Sequence, residues 1–147
     1  EKYRNLGIGK LIMNELVNMI ITYAAQHYGV EPDYPFPNDT QTPVLRHRGN
    51  NKWFAILMNV SRSALHLDGE GRVDIMNVKC DPLLSGSLRM EPGYLPAYHM
   101  NHDLWLTVLL DGTVPFEEIT PLIDMSYELT WPKPNKRYNK KKDSKTD

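Results

Sequence analysis

Residues 44–60 read VLRHRGNNKWFAILMNV and predict a β-hairpin. We interpret residues 44–48 and 53–60 as two strands, and the second is rich in β-branched and aromatic side chains, which strands favour. The Gly49-Asn50-Asn51 segment between them is typical of a hairpin loop. Because hairpin-linked strands pair in opposite directions, the sheet that contains them is predicted to be antiparallel.

Elements on both sides of the hairpin complete an α+β pattern. Gly29 can close an N-terminal helix whose apolar stripe has helical spacing: Ile12, Leu16, Met19 and Tyr23. Further strands are predicted over residues 72–79 and 104–110, with a weaker one over 64–67. Since helices and strands do not alternate, we predict an α+β fold, an antiparallel sheet with helices packed on one face.

Prolines mark the two later helices. Asp81-Pro82 is typical of a helix start, because the aspartate accepts from free N–H groups and proline has none to satisfy. Pro115 opens the last helix, whose predicted buried stripe is Phe116, Ile119, Ile123 and Tyr127. Pro121 inside that helix predicts either a kink or a restart after Thr120.

Charge divides the 147 residues into an acidic body and a basic tail. The net charge is -1, but residues 133–147 hold seven bases and two acids, so residues 1–132 carry -6. Such a body is a poor partner for nucleic acid, whose binding rests mainly on phosphate neutralisation. The tail has the composition of a disordered segment and could attract DNA without sequence specificity. Its candidate DNA contacts are Lys136, Arg137, Lys140, Lys141 and Lys142.

Composition excludes several protein classes. A hydrophobic fraction of 41% with 24% charged residues excludes a wholly disordered chain. Cys80 is the single cysteine, so neither an internal disulfide nor a thiolate zinc site is possible. The most apolar stretch, residues 11–25, falls short of the ~20 apolar residues that a membrane span needs. No signal-peptide pattern precedes it, and we expect a cytoplasmic protein without a membrane partner.

Short motifs occur in a fixed order along most of the chain. They are DYPF (33–36), KWF (52–54), MNV (58–60), NVKCDP (77–82), PGYLPAYHMN (92–101), WLTV (105–108), LDG (110–112) and SYEL (126–129). Together they resemble the MmcQ/YjbR family over about residues 17–130 of this chain. The resemblance implies a CyaY-like α+β fold, a small cytoplasmic bacterial protein and DNA binding. It carries over no catalytic residue.

The first twelve residues, EKYRNLGIGKLI, contain an R-x-x-G-x-G pattern at Arg4, Gly7 and Gly9. The pattern resembles the acetyl-coenzyme A loop of GNAT acetyltransferases, where backbone N–H groups at a helix start approach a pyrophosphate. The strand before that loop and the rest of such a domain are missing here. We interpret residues 1–16 as a remnant of an upstream acetyltransferase, with a chance helix start as the alternative. Acetyl-CoA is expected to bind only if the missing portion is present.

The segment from Tyr94 to Trp105 is the richest in polar aromatic chemistry. Tyrosine and tryptophan offer stacking faces with a polar edge, and histidine changes its charge near neutral pH. The candidate ligand patch for a base, a peptide or a small molecule is Tyr94, Tyr98, His99, Asn101, His102 and Trp105. The alternative is that Tyr98 and Trp105 are core residues and that His99 fixes the loop through backbone hydrogen bonds. A metal held by His99, His102 and Asp103 is a weaker hypothesis, and we predict no metal site.

A second candidate patch lies on the hairpin. Its basic and aromatic side chains could touch phosphates and stack on an exposed base, and they are Arg46, Arg48, Lys52 and Trp53. In a strand, Arg46 and Arg48 share one face and His47 points to the other. The alternative is a core tryptophan beside solvated arginines. Cys80 before a helix start could also serve as a nucleophile with a histidine, although no spacing identifies that histidine.

The sequence therefore favours a non-enzymatic binding module of residues 17–132 with a basic tail, residues 133–147. Weak, salt-sensitive DNA binding is the first hypothesis for its function. The alternatives are the C-terminal part of an acetyltransferase fusion and a protein-interaction domain that dimerises.

Overall fold

The order of helices and strands confirms the predicted α+β class. The structure is a computed structural model that describes residues 7–132, with side chains from Glu15 onward. Residues 7–132 contain three α-helices: α1 (Gly7–Tyr28), α2 (Pro82–Leu88) and α3 (Phe116–Leu129). A short 3₁₀ helix (Arg62–Leu65) follows the second strand. The described part of the chain has five strands: β1 (Val44–Arg46), β2 (Trp53–Ser61), β3 (Arg72–Lys79), β4 (Tyr94–Pro96) and β5 (Trp105–Leu109).

The strands form a single antiparallel sheet in the order β1-β2-β3-β5-β4. The predicted hairpin is its first pair, with Val44 opposite Ile56 and Arg46 opposite Trp53. The register shifts within this pair because Leu45 lies opposite Ala55, which leaves Phe54 as the extra residue of a β-bulge. Strand β5 lies between β3 and β4, so the last two strands of the sheet are reversed relative to the chain.

Helices α1 and α3 cover one face of the sheet, as the sequence predicts. The main hydrophobic core lies between them and the strands, and its fully buried members include Ile20, Phe54, Met76, Leu106 and Ile123. The residues that alternate with this set point to the opposite side of the sheet. We call that opposite side the helix-free face, because among the described residues its core contains no residue of α1, α2 or α3, and of the helical segments only the short 3₁₀ helix packs against it. Its own smaller core is Val60, Val73, Ile75 and Leu109.

Ser126 joins helix α3 to the sheet at the β-bulge. Its buried hydroxyl donates to the carbonyl oxygen of Phe54 at 2.5 Å and accepts from the N–H of Lys79 at 2.8 Å. These two backbone groups belong to β2 and β3, where the bulge interrupts regular pairing. A single side chain therefore satisfies both groups and fixes that end of the sheet against the helix.

The structure differs from the sequence-based expectations at three places. The prediction of a weak strand over residues 64–67 is wrong. The Ser61 hydroxyl accepts from the Ala64 N–H and starts the 3₁₀ helix instead. Strand β4 was not predicted. Helix α3 continues through Pro121 as one element, so it does not restart after Thr120.

Candidate functional site

Two tryptophans and two cations meet at one end of the helix-free face. Arg46 lies directly opposite Trp53, and Lys79 lies directly opposite Trp105. Directly opposite residues of an antiparallel pair project from the same face of the sheet. The core under the helices contains a strand neighbour of three of these residues: Leu45, Val78 and Leu106. Since neighbours along a strand point to opposite faces, the four side chains lie on the helix-free face. We call the four residues the tryptophan stripe: Arg46, Trp53, Lys79 and Trp105.

The tryptophan stripe places its two aromatic side chains on two different strands. All four side chains are half-buried, so each is held by neighbours and keeps an exposed part. Trp53 and Trp105 lie on the two strands that flank β3. Neighbouring strands are 4.7–4.9 Å apart, so the two tryptophan positions are separated by roughly 10 Å.

The segment after α1 supports the outer edge of the stripe. The Asp33 carboxylate forms an ion pair with Arg46, and its backbone N–H and carbonyl both pair with Val44, at 2.9 and 2.8 Å. The Phe36 ring packs edge-on against Trp53, with 5.6 Å between ring centroids and 84° between planes. The DYPF motif therefore orients the first half of the stripe.

A buried hydrogen-bond network holds residues 97–102 over the middle of the helix-free face. The Thr107 hydroxyl donates to the side-chain oxygen of Asn77 at 2.5 Å and accepts from the Tyr98 N–H at 2.8 Å. The Asn77 amide donates in turn to the Tyr98 carbonyl oxygen at 2.9 Å. Asn77 and Thr107 are fully buried, so the network satisfies polar groups that water does not reach.

The structure divides the predicted patch between two sides of the sheet. Tyr94 is buried in the core under the helices, where desolvation raises the pKa of its hydroxyl. Tyr98 packs on the helix-free face, and exposed His99 stacks on it at 3.8 Å. Asn101 shapes the loop by accepting from the Asp103 and Trp105 N–H groups, and His102 is exposed. That the patch residues other than Tyr94 form one ligand-binding surface stays a prediction.

The hairpin patch is also spread over more than one surface. Arg46 and Trp53 belong to the stripe, whereas Arg48 and Lys52 are exposed beside the turn that follows β1. Strand β1 ends at Arg46, so Arg48 does not alternate with it along a strand. The tail cations Lys136, Arg137, Lys140, Lys141 and Lys142 lie outside the described residues.

The acetyl-CoA hypothesis also stays a prediction. Gly7 and Gly9 lie in the first turn of α1, and Arg4 lies outside the described residues. The predicted separation of residues 1–16 from the rest is likewise untested.

Cys80 does not have the environment of a nucleophile. It is buried, and its pKa is raised to about 11, first by desolvation and then by the negative charge of Asp81. A nucleophilic cysteine needs the opposite shift, because the thiolate is the reactive form. Within residues 15–132, no group of three His, Cys, Asp or Glu side chains has the geometry to hold a metal ion.

Lys79 and Phe36 are parts of the site that sequence reasoning missed as candidates. Both lie within the family motifs, NVKCDP and DYPF, and this is the signal that could have pointed to them. Membership of a motif does not reveal which residues of other segments each of them lies beside. The register with β5 supplies that information for Lys79.

An aromatic cluster on the opposite side of the sheet ties α1 to α3. The Tyr28 ring stacks on Tyr127, with centroids 4.0 Å apart and planes 9° apart. The Tyr23 and Tyr28 hydroxyls both donate to the Asp124 carboxylate, the first at 2.9 Å. Desolvation and this carboxylate raise the pKa of both hydroxyls, so the tyrosines remain neutral donors. We interpret this cluster as structural.

His47 is buried at the edge of the same cluster. Its Nε2 lies 3.0 Å from the Tyr127 carbonyl oxygen and 2.9 Å from the Thr130 hydroxyl. Its ring also packs on Tyr127 and Phe54, with centroid distances of 4.2 and 5.3 Å. Desolvation lowers the pKa of His47, and the hydrogen bond to the Tyr127 carbonyl opposes that shift only in part.

The lowered pKa of His47 predicts a loss of stability in mild acid. The ordinary histidine pKa is about 6.5, so below that pH the unfolded chain binds a proton that the folded chain resists. The free energy of unfolding is therefore expected to fall as the pH is lowered through that value. We expect His47→Gln to remove this part of the pH dependence. Urea denaturation of the wild type and the variant between about pH 8 and pH 5 measures the difference.

The matched control for His47 is His102→Gln, which removes an exposed histidine. It should leave the pH dependence as in the wild type. Equal slopes for the wild type and His47→Gln would contradict the interpretation of His47 as a neutral buried imidazole.

Comparison with known proteins establishes the family. The family model described as YjbR matches residues 25–129 of the chain. The chain belongs to the YjbR family. Its curated relative YyaQ from Bacillus subtilis, an uncharacterized protein, is 41% identical over 111 residues, which are 76% of this chain and 94% of YyaQ.

Solved structures support the YjbR fold assignment. A crystal structure of a Pseudomonas syringae protein is similar with a TM-score of 0.74 and 42% identity, covering 77% of this chain and 97% of that one. A crystal structure of a DUF419-domain protein from Deinococcus radiodurans is similar with a TM-score of 0.62 and 25% identity, covering 85% and 86%. Within residues 7–132 of this YjbR-family chain, no helix combines the length and apolarity of a membrane span.

Proposed function

We propose that this YjbR-family protein is a non-enzymatic module that binds single-stranded DNA weakly through the tryptophan stripe. The observation that supports the proposal is the pairing of Lys79 with Trp105 and of Arg46 with Trp53 on one helix-free face. Proteins that bind single strands without sequence preference combine aromatic stacking faces with cations along the backbone path.

The charge distribution predicts that this binding is weak and depends on salt. Residues 1–132 carry a net charge of -6, and the Asp33 carboxylate pairs with Arg46 within the stripe. The basic residues of 133–147 would supply the missing phosphate attraction. Stacking on Trp53 and Trp105 would then contribute binding free energy that depends less on the salt concentration.

Fluorescence anisotropy with a labelled oligothymidine at low salt tests the proposal. Stacking contributes about 1–3 kcal/mol per base, so Trp53→Ala and Trp105→Ala are each expected to weaken binding roughly tenfold. Removing residues 133–147 should weaken binding and flatten its dependence on salt. A duplex of the same length should bind less tightly, because its bases are already stacked on each other.

Trp131→Ala is the matched control for these variants. Trp131 is 49% exposed but packs against His47 and Tyr127 on the helix-covered side. Its replacement should leave the affinity for the oligothymidine unchanged. The proposal fails if no binding is detected at low salt, or if Trp131→Ala weakens binding as much as the stripe variants do.

A further inference from the structure

A pocket on the helix-free face lies between the 3₁₀ helix and residues 95–102. It has a volume of about 320 Å³, within the range of small-molecule sites. Three histidines from two separate segments line it: His66, His99 and His102. Its apolar lining includes Leu65, Leu95 and Pro96. Among the described residues that line it there is no carboxylate.

The backbone conformation of two of these histidines is unusual. His66 and His99 each have φ of 59°, in the left-handed region that side chains other than glycine rarely adopt. Such conformations persist only where the surrounding structure enforces them, and they cluster at functional sites.

Separate contacts hold the two segments. The His66 N–H donates to the Ser63 carbonyl oxygen at 3.1 Å and closes the 3₁₀ helix. His99 follows Tyr98, whose N–H and carbonyl are both fixed by the buried Asn77–Thr107 pair. Contacts within the protein therefore hold both walls of the pocket in place.

The chemistry of the lining favours an anion with a flat apolar body. Imidazole donates hydrogen bonds from its N–H groups and becomes a cation on protonation. The Tyr98 and His99 rings stack face to face, with centroids 3.8 Å apart and planes 16° apart, and both residues line the pocket beside its apolar side chains.

We propose that this pocket binds a small aromatic anion, with the anionic group on the imidazoles and the ring against the apolar lining. The histidines are not part of the tryptophan stripe, so this proposal does not rest on DNA binding.

Titration of the ¹⁵N-labelled protein with phenyl phosphate, followed by amide chemical shifts, tests the proposal. Shifts are expected in residues 62–67 and 95–102. Phenol lacks the anion and inorganic phosphate lacks the ring, so both should bind less tightly than phenyl phosphate.

The variant His66→Asn/His99→Asn should weaken phenyl phosphate binding about tenfold, because each lost charge-assisted hydrogen bond contributes to affinity. Asparagine is chosen because it tolerates the left-handed conformation.

His27→Gln is the control, since it removes an exposed histidine from α1. It should bind phenyl phosphate as the wild type does. Three results would overturn the proposal: no shifts in these segments, phenol binding as tightly as phenyl phosphate, or His27→Gln weakening binding as much as the double variant. Dispersed amide spectra of each variant show that it is folded.

Discussion

Gly93→Ala is expected to lower the free energy of unfolding by about 3 kcal/mol, since strain and overpacking each cost about 1–3 kcal/mol. Gly93 has φ of +92°, which strains any residue with a side chain. A Cβ atom there would lie 2.5 Å from Cγ2 of Val114 and 3.1 Å from Cγ2 of Thr113. Val114 is buried, so it cannot move aside into solvent.

Gly71→Ala separates the two contributions to this effect. Gly71 has nearly the same φ, +93°, but a Cβ atom there has no other atom within 4 Å. It should therefore show the strain without the overlap and lose less stability than Gly93→Ala. Urea denaturation of the two variants measures both losses. Equal losses would show that the contact with Val114 contributes nothing.

Gly93 also explains why strand β4 was not predicted. The strand is only three residues long and ends in Pro96, so its sequence lacks the alternation that identifies strands. The Gly93 carbonyl accepts from the Leu109 N–H at 2.8 Å and leads the chain into pairing with β5. A contact between segments distant in sequence therefore creates this strand, and local patterns do not contain it.

The strands that were predicted correctly carry their own signal. Strand β2 is a long run of mainly apolar residues, and β3 carries two valines and an isoleucine among its polar residues. The hairpin loop specifies how β1 pairs with β2. The segment after β2 has a similar apolar content, yet a local hydrogen bond from the Ala64 N–H to Ser61 outweighs it. Apolar content alone does not distinguish a short edge strand from a turn of 3₁₀ helix.

The candidate site depends on strand order, which the sequence did not reveal. In the sequence, Lys79 is far from Arg46, Trp53 and Trp105. Because β5 pairs with β3 while β4 is displaced to the edge, Lys79 lies opposite Trp105. In the same way, His66 reaches the pocket of His99 only through the fold. The residue types were visible in the sequence, and their grouping was not.

Thr107→Val is expected to lower the free energy of unfolding by about 2–4 kcal/mol, because each buried group left without a partner costs about 1–3 kcal/mol. Valine keeps the shape of threonine but lacks the hydroxyl. The Asn77 side-chain oxygen would lose its donor and the Tyr98 N–H would lose its acceptor. Both lost contacts lie beneath residues 97–102, so the loop should also open more often.

Two measurements distinguish this network from a general loss of packing. Urea denaturation gives the stability, and amide hydrogen exchange gives the protection of Tyr98. Thr40→Val, at an exposed position, is the control and should change neither quantity. Because Asn77 still donates to the Tyr98 carbonyl in the variant, the loop should remain attached through one hydrogen bond rather than unfold completely. Unchanged exchange at Tyr98 would mean that the threonine hydroxyl does not hold the loop, and that the pocket of His99 owes its shape to other contacts.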